Sequence, residues 1–254
     1  MRRGPACLLL IAALPLALGA AKPRLVPDVS ENRIEIQYSF TGADLLLFGA
    51  ILYPGGRVPT EQADIAVVVK GPLQPLVVRE KKKVAGIWMN VESTRFRSAP
   101  SFYAVASSRP LAQLVDERAA AIYELGLQNL QLSPGPGQPA DVQRRFEAGF
   151  VDLMQRRHVY VEDPHGVRIT DGVLYRGRVT IPAQVPVGNY TAETFLIKDG
   201  RVIAGAVRDI RIEKRGFERF VAKAASRWSL VYGLVAVALS LLFGWGAAVF
   251  FRRG

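Results

Sequence analysis

The chain has 254 residues, a formal net charge of +11 and 50% hydrophobic residues. Its one cysteine, Cys7, lies close to the N-terminus, which excludes an internal disulfide framework and a thiolate-rich metal centre. The basic balance suits anionic partners, but both ends of the chain point to passage across a membrane, so nucleic acid is not expected among them.

Arg2 and Arg3 precede an apolar run from Cys7 to Leu18, interrupted by Pro15, and Gly19, Ala20 and Ala21 supply the small residues of a cleavage site. The run is shorter than the about 20 residues of a span. Residues 1–21 therefore read as a secretory signal, and residues 22–214 as the folded domain behind it.

The first part of that domain reads as β-structure. Arg33 to Tyr38 alternates polar and apolar residues, whereas Asp44 to Tyr53 and Asp64 to Lys70 are continuously apolar inside polar ends. Pro75 to Arg79, Val84 to Val91 and Phe102 to Ser107 are further strand-like runs. Lys81, Lys82 and Lys83 fall between two of them, as a solvated turn that also discourages edge pairing.

The period then changes. Pro110 opens a helical pattern in which Leu111, Leu114, Val115, Ile122 and Leu125 share a side, with Asp116 and Glu117 on the solvated side. Ser107 and Ser108 are placed to cap it. Ser133 to Gly137 stops the pattern, and a second helix carries Val142, Phe146, Phe150, Leu153 and Met154 along one face. The two predict a helical hairpin inserted at about residues 110–158.

Strands resume over Val173 to Ile181, Gly188 to Lys198 and Arg201 to Ile212. Asp199-Gly200 joins the last two as a hairpin turn. Pro182 to Tyr190 resembles the turn before a late strand of an immunoglobulin-like sandwich, where a tyrosine bonds backbone to fix a corner. The expected fold is mainly β: one immunoglobulin-like β-sandwich with an α-helical hairpin insertion, plus one C-terminal transmembrane helix. Two domains divided near residue 109 is the alternative.

Residues 215–227 form a charged juxtamembrane linker, which either rests against lipid headgroups or is simply solvated. From Trp228 to Phe251 there is no charge, long enough for a membrane helix, with Trp228, Tyr232 and Trp245 near its ends. Residues 252–254 are left as a cytoplasmic tail. Ala236, Ser240, Gly244 and Ala248 recur every four residues, a stripe of small side chains suited to helix–helix contact.

No pattern predicts catalysis, so an enzyme is not expected, nor a cofactor or metal. His158 and His165 lie seven apart around Glu162 and Asp163 without the spacing of a closed zinc site. No Gly-x-Ser-x-Gly elbow surrounds a serine, and no phosphate-binding glycine loop occurs. Arg144, Arg145, Arg156, Arg157 and Arg168 form a candidate anion-binding set, because guanidinium groups suit sulfonate or carboxylate ligands. Phe102, Tyr103 and Arg109 are candidate contact residues; core packing for Phe102 and a surface ion pair for Arg109 are the favoured readings.

Several stretches together, Phe40 to Gly49, Ala85 to Asn90, Pro100 to Leu111, Val185 to Tyr190, Tyr232 to Gly246 and the closing Phe251-Arg252-Arg253, resemble a family of transmembrane proteins of α-proteobacteria whose function is unassigned. The resemblance runs from about residue 24 to the end of the chain. It implies a Gram-negative inner membrane, a periplasm-facing domain and an accessory role beside a sulfite-exporter-like permease. The functional expectation is thus a non-enzymatic anchored protein that meets an inner-membrane transporter, or its own copy, through the anchor. A periplasmic small-anion binding or sensing domain is the alternative, with a hydrolase or metalloenzyme third.

Overall fold

A computed structural model describes residues 22–36, 42–60, 63–135, 137–214 and 225–251. The expected signal at 1–21, the tail at 252–254 and most of the linker lie outside the described residues. In chain order the strands are β1 (Arg24–Val29), β2 (Arg33–Ile36), β3 (Gly42–Leu52), β4 (Asp64–Lys70), β5 (Leu73–Val84), β6 (Ile87–Pro100) and β7 (Tyr103–Ser107). Two short helices follow, α1 (Leu111–Leu114) and α2 (Glu117–Ile122), then β8 (Ser133–Pro134) and the long helix α3 (Ala140–Arg156). After β9 (Tyr160–Asp163), β10 (Val167–Thr170), β11 (Leu174–Pro182), β12 (Gly188–Lys198) and β13 (Arg201–Lys214), the chain ends in α4 (Ser229–Phe251).

The protein is mainly β, as its pattern predicts. One sheet runs β1-β3-β11-β10, a second β2-β13-β12-β4-β7-β9, and a small third β5-β6-β8. The first two pack as a sandwich, and Arg208 Nε on β13 donates to the Pro27 carbonyl on β1, 2.9 Å away, across one edge. Close approach within the first sheet demands a glycine: a Cβ on Gly49 would lie 2.4 Å from the Val26 carbonyl oxygen and 2.6 Å from the Tyr175 hydroxyl.

The centre of the second sheet is β4, whose residues Ile65 to Val69 are all fully buried. Ile65, Val67 and Val69 share a face with Ala192 and Thr194, toward the first sheet. Ala66, Val68 and Lys70 share the other with Glu193, Phe195, Tyr103 and Val105. There the α1–α2 segment supplies the cover: Tyr123 packs on Phe195 with ring centroids 5.2 Å apart, and the Tyr103 hydroxyl donates to the Glu124 carbonyl at 2.7 Å.

That segment departs from the sequence expectation. The pattern from Leu111 to Leu125 makes two short helices instead of one, because Val115 turns extended to bridge Gly200 and the Asp116 amide donates to the Gly200 carbonyl. Asp116 and Glu117 are exposed as expected, but Asp116 is the N-cap of α2, accepting from the Ala119 amide at 2.7 Å. Ser107 and Ser108 cap no helix, donating instead to the Arg109 carbonyl and to Asp64. The second expected helix is α3, with Phe146, Phe150 and Met154 buried and Leu153 half exposed.

The triple lysine is also relocated. Lys81, Lys82 and Lys83 lie inside β5, opposite Asn90, Met89 and Trp88, and the turn falls later at Ala85-Gly86, both with positive φ. Since β5 is a sheet edge, the lysines still guard one. At the other end, the Asp199-Gly200 turn closes β12 on β13 as expected, with φ of 51° and 75°.

The predicted tyrosine corner is formed. Tyr190 is fully buried, and its hydroxyl donates to the Pro186 carbonyl at 2.7 Å. Burial pushes its phenol up to about 12. Tyr190→Phe leaves that acceptor without its donor and is expected to cost about 1 kcal/mol, read as a lower midpoint in urea unfolding of the detergent-solubilised full chain.

Candidate interaction surfaces

The strands β4 and β7 do not end at the sandwich rim. Beyond a bend, where the Gly71 amide bonds the Phe102 carbonyl at 2.8 Å and the Ser101 amide the Pro72 carbonyl at 3.0 Å, the same ribbon continues as β5 and β6. A chain of rings holds this arm to the body. Phe96 stacks on Phe150 of α3 at 5.4 Å, Phe150 meets Tyr160 edge-on at 5.7 Å, and Tyr160 meets Tyr103 at 6.1 Å. The Tyr160 hydroxyl donates to the Pro100 carbonyl at 2.7 Å. Burial raises the phenol pKa of both Tyr103 and Tyr160, so both are donors at any ordinary pH.

Cover is lost stepwise along the arm. Near its base, alternate residues Leu76, Val78, Thr94 and Phe96 are covered; from Lys81 to Ser93 every residue is exposed. Val84, Ile87, Trp88, Met89 and Val91 are among these, Ile87 at 71% and Trp88 at 67%.

Between α3 and β5 runs a groove of about 480 Å³, lined by Val78, Arg79, Glu80, Arg145, Phe146 and Arg156 among others. It takes in two of the five arginines singled out from the sequence, both already engaged with acids. Arg145 pairs with Glu92 and, at 3.3 Å, with Glu80; Arg156 pairs with Asp152 at 2.9 Å. Arg144 and Arg157 are exposed elsewhere around α3, and the Arg157 carbonyl accepts from Gln184.

Arg168 lies apart from those four, on the outer face of the first sheet, where it gains neighbours that the sequence pattern did not bring forward. It stands directly opposite Arg176 across the β10–β11 pair, with Arg178 two residues further along the same exposed face. None of these three forms an ion pair among the described residues. Only the antiparallel register brings them together; the signal available in sequence was the alternation Leu174-Tyr175-Arg176-Gly177-Arg178.

Another charged cluster serves packing. Lys70 donates to Glu124 at 2.8 Å and pairs with Glu193 at 3.3 Å. Burial works against its ammonium, but the two carboxylates outweigh that and raise its pKa. His158 is the positive-φ residue that ends α3 and lines a small pocket with Asp163, while His165 is exposed. Among the described residues no group of three His, Cys, Asp or Glu is placed to hold a metal ion. Phe102 is fully buried, in the core.

The remaining surface is α4. It is the one helix among the described residues long and apolar enough to cross a membrane, with a mean hydropathy of 1.8 over Ser229–Gly246 and none of that stretch buried within the chain. Ala236, Ser240 and Gly244 are exposed along it, and the Ser240 hydroxyl bonds back to the Ala236 carbonyl at 2.9 Å. Ala248 continues the stripe in the helix, its side chain outside the described residues.

Residues 24–253 match the family described as "Putative transmembrane protein (Alph_Pro_TM)". The chain belongs to this family. The match takes in the sandwich, the arm and α4 together, so the transmembrane family unit is a β-rich domain with one candidate span. No curated protein and no solved structure matches the chain.

Within this family member, Arg109 is the surface ion pair that its position suggested: its guanidinium grips both oxygens of Asp64, whose Oδ1 also accepts from Ser108 at 2.8 Å. Burial pushes the Asp64 carboxyl up, but the bonds from Arg109 and Ser108 and the Arg109 charge outweigh it and hold it below its ordinary value. A carboxyl depressed in the folded state adds stability above its unfolded value and loses it as pH falls through the folded one. Because the Arg109 side chain is 51% exposed, screening reduces the effect. Arg109→Ala is expected to cost about 0.5 kcal/mol at pH 7, and in urea unfolding the difference from wild type should close in acid, once Asp64 is protonated in both.

Proposed function

We propose that this chain is a non-enzymatic, membrane-anchored accessory protein of the bacterial inner membrane, with its sandwich in the periplasm, docking on a permease of the sulfite-exporter-like class. The observation that carries the reading is α4. Its described side chains from Ser229 to Gly246 have no cover within the chain, and a helix apolar all round needs lipid or other helices. The small-residue stripe gives one face on which a neighbouring backbone can approach closely. The signal-like residues 1–21 support translocation of the domain, leaving residues 252–254 inside.

The immunoglobulin-like reading of the domain is supported by the split of the first strands, β1 beside β3 in one sheet and β2 parallel to β13 in the other, and by the Tyr190 corner. Anchoring holds the domain close to any membrane partner, so weak contacts along the α3–β5 groove suffice through raised effective concentration.

The test is a pull-down of the tagged full-length protein in mild detergent. One permease is expected to co-purify, and Ser240→Leu with Gly244→Leu is expected to abolish its recovery. Recovery of no permease, or unchanged recovery by the double variant, overturns the docking or its site respectively. Co-purification of tagged with untagged copies alone would make the anchor a self-association element.

A second reading, a domain that binds a small anion, is favoured by one observation: Arg168, Arg176 and Arg178 share a face without acidic partners. Like charges directly opposite on a sheet are destabilising, and a sulfonate or carboxylate relieves this through paired hydrogen bonds. Sulfate should then raise the thermal midpoint saturably in wild type and lose that effect in Arg168→Gln with Arg176→Gln. An equal rise in the variant removes the reading.

A further inference from the structure

The β5–β6 arm ends in a tip that the docking proposal does not use. Residues 81–91 hold three lysines, no acid and five large apolar side chains, all exposed. In the register, Lys83 stands opposite Trp88 and Lys82 opposite Met89, while Val84 stands opposite Ile87 next to the turn. Opposed residues share a face, so each face of the ribbon carries both a lysine and an apolar residue. Polarity therefore does not divide one face from the other. Along the axis Val84 and Ile87 lie ahead of all three lysines, with Trp88 and Met89 level with Lys83 and Lys82.

A ribbon amphipathic along its length suits an end-on approach to a layered medium and not a groove that covers one face. We propose that this tip is a second membrane contact, which dips into the interface of an anionic bilayer. Lys83 lies two residues behind the turn, about 7 Å at strand rise, within the ~5–10 Å to which interfacial elements bury their apolar part. Trp88 is the residue type that settles at headgroup level. The lysines meet lipid phosphates and snorkel along their stems. Cross-strand bonds satisfy the ribbon backbone up to Val84 and Ile87, and the turn ahead of them, whose backbone groups still need partners, confines the depth to the hydrated interface.

The same chain keeps a bilayer within range. Residues 215–228 separate β13 from α4, and so short a stretch spans at most about 50 Å. Lys82 is drawn toward Glu80 at 3.4 Å, but Lys81 and Lys83 make no ion pair among the described residues. Just behind the tip, Arg145 pairs with Glu80 and Glu92, and Gln138 donates to the Ser93 carbonyl, so the tip is presented on a braced stem.

The inference rests on the membrane tether alone, not on the permease, and its test contains no other protein. The full-length chain carries three tryptophans; with Trp228→Phe and Trp245→Phe, Trp88 reports by itself. One chain per lipid nanodisc is compared in discs of phosphatidylcholine and discs containing phosphatidylglycerol. In the anionic discs Trp88 emission should shift to the blue, become several-fold less open to acrylamide and be quenched by brominated lipid. Replacing Lys81, Lys82 and Lys83 with Gln should return it to its behaviour in neutral discs. Trp88 equally open to acrylamide in both discs overturns the proposal, as does protection that arises only when a disc holds two chains, which would assign the tip to a second copy. In either case the permease pull-down stands or fails separately.

Discussion

Everything in this fold depends on β4 being covered on both faces. A strand that reads as five consecutive apolar residues between Asp64 and Lys70 cannot sit at a solvated sheet surface. One side is closed by the sheet of β1, β3, β10 and β11, the other by the irregular α1–α2 segment with Tyr123 and Leu125. The second cover is short of regular structure because it must follow the sheet closely, bridging to Gly200 and bonding Tyr103 as it goes. The charged residue at the end of β4, Lys70, lies under that cover as well, and its two glutamate partners come from different elements, Glu124 after α2 and Glu193 on β12.

The same ribbon supplies the projecting part of the molecule. Where β4 and β7 leave the sandwich they lose both covers at once, and α3 restores one of them. Phe150 is the hinge-point of this repair, touching Phe96 on the arm and Tyr160 on the body. Further out nothing covers the ribbon, and the composition changes accordingly from continuous apolar, through alternation, to lysine and exposed tryptophan. Burial and sequence follow each other along a single pair of strands.

That correspondence explains what was legible in advance. β4 and β12 are bounded in the structure as their apolar runs predict, and the Asp199-Gly200 turn and the Tyr190 corner are local chemistry that a sequence carries openly. The arm turn was not legible, because Ala85 bears no turn signal and three adjacent lysines imitate a breaker. Nor was the split of α1 from α2, which Gly200, distant in sequence, imposes on Val115. The arginines show the same limit. Helical spacing places Arg145 and Arg156 on one groove, yet the cluster of Arg168, Arg176 and Arg178 exists only once β10 and β11 are paired. Pairing register is a tertiary fact, and charge positions inherit it.

The placement of β13 bears on how tension is carried. This strand is the last before the segment that joins the domain to α4, and at its C-terminal end it is not an edge: Arg211 to Lys214 are flanked by β2, running parallel, while Asn189 and Gly188 of β12 lie opposite Arg211 and Ile212. Its ladder bonds run across the strand, whereas a pull on its C-terminal end acts along it. Such a load is shared by many bonds in shear instead of unzipping them singly, so the end of the domain that leads to α4 is built to resist drag.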